Sequence, residues 1–60
     1  MIKVYTPAEA GKALKISENT IRKLLAAGEI KAFRVGAWWK IPETCLDEAV
    51  ERWSREGKVL

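Results

Sequence analysis

The stretch "FRVGAWWKI", Phe33 to Ile41, sets two adjacent tryptophans just past a glycine, with Arg34 and Lys40 on either side. Cores take tryptophan and exclude cations, whereas a surface that grips a polyanion wants cations and flat rings on a rigid protrusion. Phe33, Val35, Trp39 and Ile41 are interleaved with Arg34 and Lys40. That is the period-two pattern of a hairpin with one wet face, and Gly36 supplies the unusual φ of its turn. A two-residue loop, Gly36–Ala37, pairs Val35 with Trp38, Arg34 with Trp39 and Phe33 with Lys40, which opposes inward and outward residues. A three-residue loop, Gly36–Ala37–Trp38, pairs Val35 with Trp39, Arg34 with Lys40 and Phe33 with Ile41. The longer loop keeps both faces consistent and is the expected register. It puts Trp39 in the core, Trp38 at the tip, and Arg34 with Lys40 together on the outer face.

Upstream of this ribbon the chain reads as two short helices. In "YTPAEAGKAL", Thr6 is an N-cap, Pro7 fits the first helical position and Glu9 completes a capping box, predicting a helix over 7–14. Ala10, Ala13 and Leu14 offer a narrow apolar face, and Gly11 weakens the helix slightly. In "KISENTIRKLLAAGEI", Ser17 is the next N-cap, and Ile16 and Ile21 have the spacing of a hydrophobic staple. Ile21, Leu24 and Leu25 form the apolar stripe of a helix over 18–27, which Gly28 stops. Lys15–Ile16–Ser17 leave room only for a tight turn, so the pair is a helix-turn-helix candidate.

Downstream, "PETCLDEAVERW" predicts a third helix over 43–54, buried through Leu46, Ala49, Val50 and Trp53. Glu48 with Arg52 and Glu51 with Arg55 have the i, i+4 spacing of exposed ion pairs. Gly57 ends this helix. Residues 55–60 are expected as a flexible tail, with its last three residues, "KVL", loose or packed as a short strand. The helices must cover the Phe33/Val35/Trp39/Ile41 face, because a two-stranded ribbon is marginal alone. The fold class is therefore small α+β, one domain over 1–60, with helix-turn-helix, two-stranded wing and third helix sharing a core.

Charge narrows the function. Residues 1–40 carry eight Lys/Arg against three Glu, and residues 41–60 carry three against five acids, giving +5 and −2. The basic part points to a polyanion, although solvated surface charge would look the same. One cysteine, Cys45, excludes an internal disulfide, suits a small half-buried apolar role, and points to a reducing interior. The chain has no histidine, so no zinc set is recognisable, and no cofactor, catalytic constellation or membrane span is expected.

With Ile21, Leu24 and Leu25 inward, Asn19, Arg22, Lys23 and Ala26 face outward. Asn can bind an adenine edge and Arg the guanine O6/N7 pair. Ser17, Glu18 and Thr20 occupy the first turn, where free N–H groups can meet a phosphate. Glu18, four residues before Arg22, either holds it back or orients it. Arg34 and Lys40 can grip phosphates beside Trp38. Alternatively they guard an edge strand against aggregation while Trp38 packs over the third helix. Thr6, Lys12 and Lys15 are candidate phosphate contacts.

These parts together resemble the excisionase-family, MerR-like winged helix-turn-helix DNA-binding domain over about residues 4–53. The resemblance rests on "TPAEAGKAL", on "SENTIRKLLAAGEI", and above all on Arg34–Val35–Gly36 followed by Trp39–Lys40–Ile41–Pro42. It implies double-stranded DNA as partner, with Glu18, Asn19, Thr20, Arg22 and Lys23 in the major groove. It implies Arg34, Trp38 and Lys40 on a wing beside the minor groove. Ala37–Trp38 departs from the family, which often has a small or basic and then a basic residue there. The family's roles imply a free-standing architectural factor in a bacterial or phage-infected cytoplasm. Such a factor bends DNA beside a site-specific recombinase, with neighbouring copies on repeated sites. A small transcriptional regulator of a mobile element needs the same surface. A protein-interaction module on the same scaffold is the alternative from another class.

Overall fold

Strand β1 (Val4–Tyr5) opens the computed structural model, which describes residues 2–57. Helices α1 (Pro7–Leu14) and α2 (Glu18–Ala26) follow, then β2 (Phe33–Val35), β3 (Trp38–Pro42) and α3 (Glu43–Glu56). The architecture is a winged helix-turn-helix whose wing belongs to a three-stranded antiparallel sheet of order β1-β3-β2.

Local chemistry sets the helix ends. The Glu9 amide donates to Thr6 Oγ1 at 3.1 Å and the Thr6 amide donates to Glu9 Oε1 at 3.0 Å, the expected capping box. α1 closes with Lys15 at φ 61°, a left-handed conformation that glycine usually occupies. The Ile16 amide then reaches back to the Gly11 carbonyl at 2.9 Å. At α2 the Ser17 hydroxyl accepts from the Thr20 amide at 3.1 Å. Gly28, at φ 79°, ends that helix, and the Glu29 amide bonds the Leu24 carbonyl at 2.9 Å.

The core gathers Ala10, Ile21, Leu24, Leu25, Ile30, Ile41, Leu46, Ala49 and Trp53, so every element except β1 and β2 contributes a buried residue. Ala10, Ile21 and Ile41 are 0% exposed. Tyr5, Leu14, Ile16, Trp39 and Val50 pack around them, half-buried. The expected α2 stripe is buried entire. On α1, Ala13 is exposed and Gly11 is buried instead, because the turn folds back over that face.

β1 was not legible in the sequence. Val4 pairs with Pro42 and Tyr5 with Ile41. The Lys3 carbonyl accepts the Glu43 amide at 2.8 Å, and the Tyr5 hydroxyl donates to Glu43 Oε2 at 3.1 Å. Both bonds serve the start of α3, whose N-cap, Pro42, makes no side-chain cap bond. α3 continues to Glu56 and stops at Gly57, φ 78°. Arg55 and Glu56 are therefore helical and not part of a tail. The tail expected beyond them, residues 58–60, lies outside the described residues.

The hairpin corrects the expected register. Val35 pairs with Trp38, Arg34 with Trp39 and Phe33 with Lys40, across a two-residue turn. Gly36 carries a positive φ of 63° and Ala37 does not. That is the pattern of a II′ turn, whose twist matches the twist of the strands. The turn geometry thus overrides the tidy alternation that favoured a three-residue loop. Arg34, Trp39 and Ile41 share one face of the ribbon, while Phe33, Val35, Trp38 and Lys40 share the other. Phe33 (49% exposed) and Val35 (56%) are not core residues. The helices cover β3 around Ile41 and leave the far end of the wing bare.

Candidate nucleic-acid interface

α2 presents its candidate groove residues because three leucine and isoleucine side chains fix its rotation. With Ile21, Leu24 and Leu25 buried, Glu18, Asn19, Arg22, Lys23 and Ala26 are exposed along the opposite side. Thr20 is half-buried, and its hydroxyl shares a 2.8 Å hydrogen bond with that of Ser17. Ser17 is exposed but serves as the cap. Arg22 donates through Nε and Nη2 to Glu18 Oε2, at 3.1 and 2.6 Å. Lys23 stands exposed beside that pair.

The far end of α2 is tied to α3. Arg52 Nη2 donates to the Glu29 carbonyl and to Glu29 Oε1, the latter at 3.2 Å. Trp53 Nε1 donates to the same carboxylate oxygen at 3.4 Å. The expected pairing of Glu48 with Arg52 gives way to this clamp, because a charge-assisted bond to a loop carbonyl is stronger than an exposed i, i+4 pair. Glu51 and Arg55 do pair, at 3.0 Å. The clamp fastens the segment between α2 and the wing to α3.

On the wing the structure separates what the sequence brought together. Arg34 and Lys40 stand on opposite faces of the ribbon. The Arg34 guanidinium lies 5.2 Å from the centroid of the Trp39 ring, within cation–π range. Lys40 is half-buried beside Phe33, its register partner. Trp38 is 69% exposed and does not pack over α3. Thr6 is half-buried with its oxygen engaged in the capping box, while Lys12 and Lys15 are exposed on and just after α1.

Sequence reasoning missed the apolar outer face of the sheet, where Val4, Phe33, Val35 and Trp38 are all exposed. The signal for it was the two-residue turn reading, which puts Phe33 and Val35 on the same side as Trp38. Lys3, whose ammonium sits 5.0 Å from the Tyr5 ring centroid, was also unassigned.

No described helix is long and apolar enough to cross a membrane. No curated protein and no solved structure gives a match. A family model described as a helix-turn-helix domain matches residues 4–57, from β1 to the end of α3. The match takes in every element described above, and the chain belongs to the helix-turn-helix family of DNA-binding domains.

Proposed function

We propose that the protein is a sequence-selective architectural DNA-binding factor of excisionase, MerR-like type, which directs a site-specific recombinase. α2 enters the major groove with Glu18, Asn19, Arg22 and Lys23 against the base edges and phosphates. The wing follows the adjacent backbone or minor groove, with Arg34, Lys40 and Trp38 as its candidate contacts. Ser17, Thr20, Thr6, Lys12 and Lys15 are assigned to the flanking phosphates, where N–H-rich helix starts and lysines bind without reading sequence. The carrying observation is the exposed polar face of α2, held in one rotation by the buried Ile21, Leu24 and Leu25, with the segment that follows the helix fastened to α3 by the Glu29–Arg52 contact.

A domain of this size makes few phosphate contacts, so a lone copy binds weakly and loses affinity steeply with salt. Occupancy then comes from neighbouring copies on repeated sites and from the recombinase. The exposed Phe33, Val35 and Trp38 favour a protein neighbour of this kind. The same face is the observation in favour of the reading as a protein-interaction module. The site of action is the DNA of a bacterial or phage-infected cell.

The test is binding to duplexes from the protein's own genomic neighbourhood at two salt concentrations, with Arg22→Glu/Lys23→Glu as control. Selective, salt-sensitive binding on repeats beside an integrase gene, lost in the double variant, is the expected result. Binding at a promoter alone moves the role to transcriptional regulation of a mobile element. Undiminished binding by a folded double variant removes α2 from the groove. No binding at low salt leaves the protein-interaction reading.

A further inference from the structure

Resting on the groove-binding reading, we propose that Glu18 sets the base preference of α2 by holding Arg22 in the pose that reads guanine. Arg22 spends one edge of its guanidinium on Glu18, since Nε and Nη2 both point at Oε2, at 3.1 and 2.6 Å. A guanidinium has five N–H donors in a planar fork. The edge formed by Nη1 and the second N–H of Nη2 has no partner among the described residues. That edge presents two parallel donors, the match for guanine O6 and N7.

Three features make this more than an ordinary surface pair. First, the fold does not need it. The two side chains are 50% and 45% exposed, and exposed pairs add little to folding. α2 is anchored by its buried stripe and its Ser17 cap instead. Second, Glu18 is the first residue of α2, where the positive end of the helix favours a carboxylate. The pair therefore supplies an arginine whose rotamers are already restricted, and ordering it on DNA loses less entropy. Third, the pair is electrically neutral. A neutralised arginine gains little from a phosphate but keeps its hydrogen bonds to a base edge. Lys23 beside it has no carboxylate partner among the described ion pairs and is left as the phosphate-directed charge. Arg22 thus specifies and Lys23 attracts, with Glu18 as the positioning residue that separates the two roles.

The experiment is enrichment of randomised duplexes by the full chain, comparing wild type with Arg22→Lys and Glu18→Gln, each checked by its melting curve. Wild type is expected to enrich guanine at one fixed position. Arg22→Lys should lose about tenfold of that preference and keep the rest of the site. Glu18→Gln should lose several-fold at the same position. It should also bind unselected DNA more tightly, with a salt slope steeper by about one. Intact guanine preference in a folded Glu18→Gln variant overturns the positioning role, and a raised preference shows that Glu18 restrains Arg22. A folded Arg22→Lys variant that selects guanine as wild type does removes Arg22 as the reader. Wild type that binds no duplex overturns the groove reading itself, a failure distinct from the other three.

Discussion

Gly11 lies against the carbonyl oxygen of Ile16 so closely that a methyl group added to its α-carbon would stand 2.7 Å from that oxygen. The obstacle is backbone, within the turn that joins α1 to α2, so it cannot swing aside as a side-chain tip would. Gly11→Ala is therefore expected to destabilise, although alanine gains about 1 kcal/mol of helix propensity over glycine. Overpacking of this kind costs about 1–3 kcal/mol, and the net loss should appear as a lower melting temperature. A melting temperature at or above wild type would show that the turn gives way easily.

Lys15 offers the opposite change. It holds φ 61° without the freedom of glycine. Lys15→Gly should raise stability by about 1 kcal/mol, which for a chain of this size shifts melting by about 4–8 °C. If Lys15 also meets a phosphate, the same variant should bind DNA less tightly, with a salt slope shallower by about one. Melting and titration on one protein read both effects.

The two adjacent tryptophans should separate cleanly. Trp39 packs against the core and under Arg34, so Trp39→Ala is expected to cost about 2 kcal/mol, less than a fully buried aromatic would. Trp38→Ala should leave the melting curve within about 0.5 kcal/mol of wild type, as an exposed position does. Equal losses in both would place Trp38 in a packed position.

Arg52 and Arg55 sit on the same helix and both pair with a glutamate, yet they differ in what they hold. Arg52→Ala removes a charge-assisted bond to the Glu29 carbonyl and should cost about 1–2 kcal/mol. Arg55→Ala breaks only an exposed pair and should cost about 0.5 kcal/mol or less. Chemical denaturation of the two variants decides the comparison.

Much of the fold could be read from local grammar. Thr6, Pro7 and Glu9, then Ser17 and Gly28, mark their helix ends because caps are satisfied within a few residues. The Ile21/Leu24/Leu25 stripe was legible for the same reason: burial follows helical period. What escaped reading depends on partners far along the chain. Val4 and Tyr5 become a strand because Ile41 and Pro42 present an open edge. Gly11 looked like a weak helix residue because the carbonyl that requires it belongs to the next turn. The wing misled through its own regularity, since alternation favoured a register that the Gly36 turn does not make. The candidate α2 face was legible as exposed positions. The pairing of Arg34 with Trp39, on the face of the ribbon opposite Lys40, required the register.

The bond from the Tyr5 hydroxyl to Glu43 spans 38 residues. As the chain leaves the ribosome, β1 emerges before β3 and finds its partner only after β3 has followed, whereas α1 and α2 can pair early. Local contacts form before distant ones because long loops are entropically costly to close. Sheet closure is thus expected to follow the folding barrier. Val4→Ala should speed unfolding and leave the folding rate almost unchanged, and stopped-flow kinetics would expose a slowed folding limb if closure came earlier. A strand synthesised before its partner would then be the last part of the sheet to find its place.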